Sequence, residues 1–146
     1  MQNKNPSDVN FSIEHVAILA TDPVTLGNWY EHVLGARPVW DDKQSPPTYL
    51  LALSNLWLEI HAAEAPPVGR GNNKLPGFRH VALRVDSIED AKAELAKRGV
   101  KFEEEIRPAA GGGRVLFFED CEGNLLHLVE RPPGSQIGKA RWSIQL

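Results

Sequence analysis

Two stretches of the chain carry the same alternation of apolar and polar positions around a His-Val-Ala core. The first is Ile13-Glu14-His15-Val16-Ala17-Ile18-Leu19, and the second is Phe78-Arg79-His80-Val81-Ala82-Leu83-Arg84-Val85. A period of two predicts a β-strand in each, with the histidine and alanine on one face and the branched aliphatic residues on the other. Each strand leads into a helix-start signal, so we predict one module written twice.

Both predicted strands are followed by an amphipathic helix with recognisable ends. In the first helix, Asp22-Pro23 is an N-cap followed by a proline in the first turn, and Gly35 ends the helix. In the second, Ser87 with Asp90 three residues later indicates a capping box, and Gly99 ends the helix. The inner stripe of the first helix consists of Leu26, Trp29, Tyr30, Val33 and Leu34.

Three short strands complete each half, at 37–41, 49–53 and 56–61 and then near 101–106, 114–118 and 124–130. The order β-α-β-β-β twice predicts an α+β fold, in which two tandem βαβββ modules form an open, eight-stranded, barrel-like sheet with the helices outside. We place the parts of this single domain as module 1 (12–63), a Pro- and Gly-rich linker (64–77), module 2 (78–131) and a C-terminal tail (132–146). Residues 1–10 are expected to form an arm, and the tail offers Trp142, Ile144 and Leu146 for packing.

One polar side chain that can bind a metal ion interrupts an apolar run in the last strand of each module. It is Glu59 in the first and His127 in the second. Alternation places each on the face away from the helices, and an ionised carboxylate in such a strand is costly to bury unless it is paired or bound to a metal. We therefore expect Glu59 and His127 to join His15 and His80 around one cation, in a cup where the small Ala17 and Ala82 leave space.

Three imidazoles and one carboxylate suit a borderline divalent ion (Zn, Ni, Fe, Co or Mn) rather than calcium or magnesium. Other reactive residues give weaker signals. His32 lies off the apolar stripe of its helix and is expected to be exposed, whereas His61 is either a residue at the rim of the site or a surface residue. Cys121 has no base partner that the sequence identifies, and the loop 111–113 lacks the Lys-Ser/Thr of a phosphate-binding P-loop.

Composition narrows the classes of function. The 146 residues carry a net charge of −3 with both signs interspersed, which indicates neither nucleic-acid binding nor a polybasic membrane patch. No apolar run approaches the roughly 20 residues of a membrane span. A single cysteine excludes an internal disulfide, and the polar N-terminal segment does not have the pattern of a secretory signal. We expect a cytoplasmic protein that acts on a small molecule.

The residues around the four candidate ligands resemble the glyoxalase/bleomycin-resistance/dioxygenase group, the vicinal oxygen chelate superfamily. The resemblance covers about residues 12–131 and rests on Ile-Glu-His-Val-Ala at 13–17, Tyr30-x-x-x-Leu34-Gly35, Phe78-Arg79-His80-Val81-Ala82-Leu83 and Asp120-x-x-Gly123-Asn124-x-x-His127-Leu128-Val129-Glu130. It implies paired βαβββ modules whose first and last strands supply the metal ligands, here His15, Glu59, His80 and His127. It also implies a homodimer, often with sites shared between subunits.

This resemblance implies a metal-dependent, glyoxalase-I-like lyase or isomerase that acts on a small substrate with vicinal oxygens through an enediolate-like intermediate. Glu59, the one carboxylate of the set, is then the candidate base for the proton next to the carbonyl. Arg70, Lys74, Arg84 and Arg114 are candidate rim cations for an anionic substrate.

One position departs from the family pattern, which usually ends in Asn-x-x-Glu-Leu. That glutamate is a metal ligand and a candidate base in glyoxalase I, and extradiol dioxygenases also carry it, but this chain has His127 there. The histidine keeps a ligand and alters the base. Three alternatives stay open. One is an Fe(II) extradiol-type dioxygenase using His15, His80 and Glu59. A second is a bleomycin-resistance-type protein that binds a small molecule without chemistry. A third is a metal-sensing or purely structural relative.

Overall fold

The computed structural model describes residues 9–135. Most of the predicted arm (1–8) and tail (136–146, with Trp142, Ile144 and Leu146) lies outside the described residues. The elements of module 1 are β1 (His15–Ala20), α1 (Pro23–Leu34), β2 (Arg37–Asp41), β3 (Tyr49–Leu53) and β4 (Leu56–Ala62). Those of module 2 are β5 (His80–Val85), α2 (Ile88–Lys97), β6 (Arg107–Pro108), β7 (Arg114–Glu119) and β8 (Leu125–Glu130). The predicted α+β fold of two tandem βαβββ modules is confirmed.

The eight strands form two four-stranded mixed sheets, in the orders β1-β4-β3-β2 and β5-β8-β7-β6, and the sheets are not closed into a barrel. The first and last strands of each module are parallel neighbours. Their registers correspond, because Ala17 pairs with Glu59 in one sheet and Ala82 pairs with His127 in the other. The duplication therefore places the two candidate-ligand strands of each module side by side.

Both helices begin and end where the local sequence predicts. The Asp22 side chain accepts a hydrogen bond from Thr25 N at 3.1 Å, and Ser87 Oγ accepts one from Asp90 N at 3.2 Å. Each such cap stabilises its helix by giving a partner to one of the N–H groups that the first turn leaves free. Gly35 ends α1 in the left-handed conformation, with φ at 74°, which a residue without a Cβ adopts readily. Within the described chain, neither helix is long and apolar enough to cross a membrane.

The helix-facing sides of both sheets share one hydrophobic core. Its fully buried side chains come from both modules and are Leu26, Leu51, Leu58, Ile60, Ile88, Leu116, Leu126 and Leu128. The alternate aliphatic residues of the two His-Val-Ala strands pack against this core as predicted, namely Val16, Ile18, Val81, Leu83 and Val85. Their neighbours in sequence therefore point to the opposite side of each sheet, which we call the cup face.

The strand predicted near 101–106 is wrong. The chain has no strand there, and β6 consists only of Arg107 and Pro108, paired with the start of β7. Three successive acids at 103–105 interrupt the alternation that a half-buried strand needs, and Pro108 has no N–H to extend the pairing. Phe102 and Ile106 still pack onto the core, so apolar anchors hold this segment in place of a β-ladder.

The turn between β7 and β8 joins the two modules. Asp120 is 6% exposed, and its carboxylate accepts hydrogen bonds from Tyr30 Oη at 3.0 Å and from Glu122 N and Asn124 N at 2.9 and 3.0 Å. The Glu122 carboxylate accepts from the backbone of Thr21 and Asp22 at the start of α1. Burial and then the Asp120 charge raise the pKa of Tyr30, so its hydroxyl remains a donor. The Asp120-to-Asn124 motif is thus a joint between the modules.

Candidate metal centre

In module 1, the carboxylate of Glu59 lies between two imidazoles on the cup face. His15 Nε2 is 3.9 Å from Glu59 Oε2, and His61 Nε2 is 3.3 Å from Glu59 Oε1. Glu59 and His61 share a face because they are two residues apart in β4. The sequence left His61 between a rim role and a surface role. The structure places its Nε2 within 3.3 Å of Glu59 Oε1, beside the carboxylate.

A contact on the second ring nitrogen orients the ring of His15. Its Nδ1 lies 2.9 Å from Oε1 of Glu14. An ionised carboxylate can only accept a hydrogen bond, so this contact places the proton on Nδ1 and leaves the lone pair of Nε2 on the side of Glu59. Metal-binding histidines are commonly oriented in this way by a partner on the second ring nitrogen.

In module 2, His80 and His127 lie against each other on the cup face, with ring centroids 4.6 Å apart. Phe117 packs edge-on to both rings, at 5.4 Å from His80 and 4.7 Å from His127. Among the described residues, buried Nδ1 of His127 has no hydrogen-bond partner. Burial, and then the charges of His80, Arg131 and Arg107, lower the pKa of His127 to about 4. His127 is therefore neutral near pH 7, and this is the form that binds a metal ion.

The four predicted ligands stand as two pairs, one in each module. His15 lies beside Glu59, and His80 lies beside His127. Within residues 9–135, no three His, Cys, Asp or Glu side chains form a group that could hold a metal ion. The convergence of all four on one cation therefore stays a prediction.

The cup faces of the two modules differ in how far they are covered. In module 2, the apolar residues of β7 and β8 around His127 are each at most 9% exposed, namely Val115, Phe117, Leu125 and Val129, whereas His80 on β5 is exposed. In module 1, the residues around Glu59 are open to solvent, with Leu19 50%, Trp40 52% and Trp57 37% exposed. The register places Trp40 opposite Leu50 and Leu50 opposite Glu59, so these side chains belong to one apolar surface beside the carboxylate.

The structure places the arginines that could bind an anionic substrate in different surroundings. Arg114, one of the candidate rim cations, forms ion pairs with Glu89 of α2 and with Glu130, so it lies on the helix side of the sheet and not at the rim. Arg70 pairs with Glu122 on the β7–β8 turn. Arg107, which directly follows the wrongly predicted strand and was not among the candidate cations, lies over the Phe117 ring at 5.0 Å from the centroid.

Two reactive residues, His32 and Cys121, lie outside the two pairs of predicted ligands. His32 is exposed, as predicted, and its Nδ1 lies 2.7 Å from the Asn28 carbonyl oxygen within α1. Desolvation, followed by the carboxylates of Asp120 and Glu122, raises the pKa of the Cys121 thiol to about 11. Because the thiolate is the reactive form, this thiol is a poor nucleophile near neutral pH.

Comparison with known proteins gives concordant matches. Residues 12–128 match the family model described as Glyoxalase/Bleomycin resistance protein/Dioxygenase superfamily. The chain is 30% identical over 130 residues to the uncharacterized protein YaeR of Escherichia coli (82% of this chain, 95% of YaeR). It is 28% identical over 132 residues to mitochondrial methylmalonyl-CoA epimerase of Homo sapiens (81% of this chain, 73% of the epimerase). Among solved structures, a glyoxalase family protein from Enterococcus faecalis superposes with a TM-score of 0.71 at 29% identity, covering 82% of this chain and 97% of that one.

Proposed function

Because the chain belongs to the Glyoxalase/Bleomycin resistance protein/Dioxygenase superfamily, we propose that it is a metal-dependent lyase or isomerase of glyoxalase type. It moves a proton on a small substrate that carries two neighbouring oxygens. His15, Glu59, His80 and His127 hold a divalent ion of the Zn, Ni, Fe, Co or Mn class. When bound, the ion acts as a Lewis acid on the substrate oxygens.

The observation that carries this proposal is the position of the Glu59 carboxylate. It is half-buried on the cup face, with His15 on one side and His61 on the other. A general base must be held in one geometry and must reach the proton that it removes. His61 Nε2 lies 3.3 Å from Oε1 of Glu59, and the exposed apolar surface beside Glu59 leaves room for a substrate. Glu59 is thus placed to accept the proton from the carbon next to a carbonyl.

The donor set fits a borderline divalent ion for a second reason. His15 Nδ1 faces a carboxylate oxygen of Glu14, and His80 Nδ1 faces the amide oxygen of Asn73 at 2.8 Å. Both rings therefore keep Nε2 free as a donor atom. His127 contributes a neutral imidazole with a nitrogen that no described residue satisfies. Such an unsatisfied buried group costs about 1–3 kcal/mol unless it finds a partner.

The proposal is tested by hydrogen exchange on two substrates. The protein, loaded with each candidate metal in turn, is incubated in D₂O with the methylglyoxal–glutathione hemithioacetal or with a methylmalonyl thioester, the latter because several relatives are named methylmalonyl-CoA epimerase. We expect metal-dependent incorporation of deuterium at the carbon next to the carbonyl of one of them, which a chelator abolishes. Metal-replete protein that exchanges neither substrate would contradict this function, and oxygen uptake with a catechol would favour the dioxygenase.

We further propose that the protein is a homodimer in which module 1 of one chain faces module 2 of the other. Two features support this arrangement. The four ligands form two pairs within the described chain, and a second copy supplies the complementary pair to each. The exposed apolar surface of Leu19, Trp40 and Trp57 also lies beside Glu59 and is covered when a partner module packs there.

A mixed dimer distinguishes a shared site from a site within one chain. Glu59→Gln disables the module 1 pair and His127→Gln disables the module 2 pair, so each homodimer is expected to be inactive. Heterodimers isolated through two different affinity tags then carry one site with four native ligands, and we expect about half of the wild-type turnover per dimer. Heterodimers without activity would show that each site is built from a single chain. A monomer in sedimentation velocity would contradict the dimer itself.

A further inference from the structure

We infer that the linker between the modules is part of the site, with Asn73 as the residue that fixes the tautomer and orientation of His80. Asn73 Oδ1 lies 2.8 Å from His80 Nδ1. The amide oxygen can only accept, so the proton of the imidazole is on Nδ1 and Nε2 keeps its lone pair. This deepens the proposed function, and it rests on that function only where His80 is said to bind a metal.

The break in the sequence repeat explains why module 2 needs such a residue. In module 1, the acceptor for His15 is Glu14, the residue directly before it. The equivalent residue in module 2 is Arg79, which has no acceptor atom on its side chain and instead donates to the Phe78 and Asn72 carbonyl oxygens. His80 therefore lacks the local partner that its counterpart has. Asn73, which is seven residues earlier, supplies the missing acceptor.

The linker is anchored to module 2 before Asn73. Arg70 donates to the Glu122 carbonyl oxygen and lies 3.5 Å from the Glu122 carboxylate. Gly71 has a φ of 75°, and a Cβ there would lie 2.8 Å from Glu119 Oε1, so the backbone passes close to the end of β7. These contacts fix the path of the chain into the segment that carries Asn73.

The linker is also anchored immediately around Asn73. Asn72 Oδ1 accepts from Lys74 N at 3.0 Å, and the Asn72 carbonyl oxygen accepts from Arg79 Nη1 at 3.4 Å. Asn72 therefore connects the linker to Lys74 within the loop and to Arg79, the residue before His80. The bond from Arg79 to the Asn72 carbonyl oxygen, which does not use the Asn72 side chain, and the Arg70 contact hold the backbone that carries Asn73. Asn73 is therefore a fixed acceptor whose contact with His80 can select one tautomer.

The direct test is the tautomer of His80 in metal-free protein, read from long-range ¹H–¹⁵N spectra of histidine-labelled samples at about pH 8, where an ordinary imidazole is neutral. In the wild type we expect the proton of His80 on Nδ1. In Asn73→Ala we expect the population to move to the Nε2–H form that an unconstrained histidine prefers. Asn73→Asp keeps an acceptor at the same place and is expected to restore the Nδ1–H form.

The second readout is the affinity for Zn²⁺, measured by competition with a chromophoric chelator. We expect Asn73→Ala to weaken binding by about 10–100-fold, as other losses of an orienting partner do, and Asn73→Asp to recover most of it. Asn72→Ala is the matched control, because it removes a hydrogen bond within the loop but leaves the acceptor for His80. Its affinity and its His80 tautomer are expected to stay close to those of the wild type.

The outcomes separate this inference from the proposed function. A wild-type His80 that carries its proton on Nε2 would overturn the inference, as would an Asn73→Ala variant with unchanged tautomer and affinity. An equal loss in Asn72→Ala, without recovery in Asn73→Asp, would show that the loop acts only as a scaffold and would also overturn it. If the tautomers follow the expectation but no variant binds Zn²⁺, the role of Asn73 stands and the metal-dependent function fails.

Discussion

The Glu59→Gln variant is expected to retain its metal ion and to lose about 10²–10⁴-fold in kcat for proton transfer. Glutamine has nearly the same shape as glutamate and keeps an oxygen that can bind a metal, but its amide does not accept a proton near neutral pH. The measurements are metal content by elemental analysis, kcat on the reactive substrate, and the rate of deuterium exchange at the carbon next to the carbonyl.

Two further variants show whether the loss of kcat in Glu59→Gln arises from the loss of the general base. Glu64→Gln makes the same change of charge at an exposed position just after β4, and its kcat is expected to be that of the wild type. His61→Gln removes the imidazole 3.3 Å from Glu59 Oε1 and is expected to give a smaller loss, because the base remains but is held less firmly. A Glu59→Gln enzyme that is replete with metal and turns over at the wild-type rate would remove Glu59 from the mechanism.

The large effect expected at Glu59 follows from the composition of the ligand set. Where the family pattern has a second glutamate, this chain has His127, which is buried and has a pKa lowered to about 4. A neutral imidazole with so low a pKa is a weak base, because its conjugate acid readily gives the proton back. Glu59 is the one carboxylate among the four proposed ligands, so no second carboxylate of that set can compensate when it is replaced.

Local pattern was sufficient to predict most of the fold. The strands around His15 and His80 have a period of two, and the caps at Asp22 and Ser87 act within three residues of the helix start. Such signals depend on neighbours in the sequence, so they can be recognised without tertiary information. The parallel pairing of each first strand with its last strand was not predicted, and it is what brings His15 to Glu59 and His80 to His127.

The features that the sequence did not predict depend on contacts between distant or irregular segments. Asn73 lies in a linker without periodicity, and its contact with His80 depends on how that linker folds back onto module 2. The segment 101–106 has apolar residues at the spacing of a β-strand, but its three successive acids prevent it from pairing with a neighbouring strand. Arg114 could have been placed from alternation, because Leu116 and Phe118 share its face and belong to the core.

The two modules have diverged in ways that assign them different tasks. Glu14 corresponds to Arg79 and Glu59 to His127, so module 1 carries the carboxylates, and module 2 carries imidazoles in a more apolar setting. The module 1 cup face is open to solvent around Glu59, whereas in module 2 the β7 and β8 side chains around His127 are buried and His80 on β5 is exposed. In the proposed dimer, module 1 supplies the base and the docking surface, and module 2 supplies two imidazole ligands. This division requires the modules to be held together firmly.

The Asp120→Ala variant is expected to lose about 3 kcal/mol or more of its free energy of unfolding, because its buried carboxylate accepts several hydrogen bonds, each worth about 1.5–3 kcal/mol when one partner is charged. The hydroxyl of Tyr30 and the backbone N–H groups of Glu122 and Asn124 would lose their acceptor. For a chain of this size, such a loss corresponds to a melting temperature lower by roughly 6–12 °C. Calorimetry and urea denaturation measure it.

The same set of variants shows whether the loss arises at the joint between the modules. Asp86→Ala removes an exposed aspartate and is expected to change the free energy of unfolding by less than about 0.5 kcal/mol. Tyr30→Phe removes only the hydrogen bond that crosses from α1 to the β7–β8 turn, at a cost of about 1–2 kcal/mol. Because Tyr30 and Asp120 share this bond, the double variant is expected to lose less than the two single losses added together. Strictly additive losses would mean that the hydrogen bond between Tyr30 and Asp120 does not hold the modules together, and that the carboxylate stabilises only its own turn.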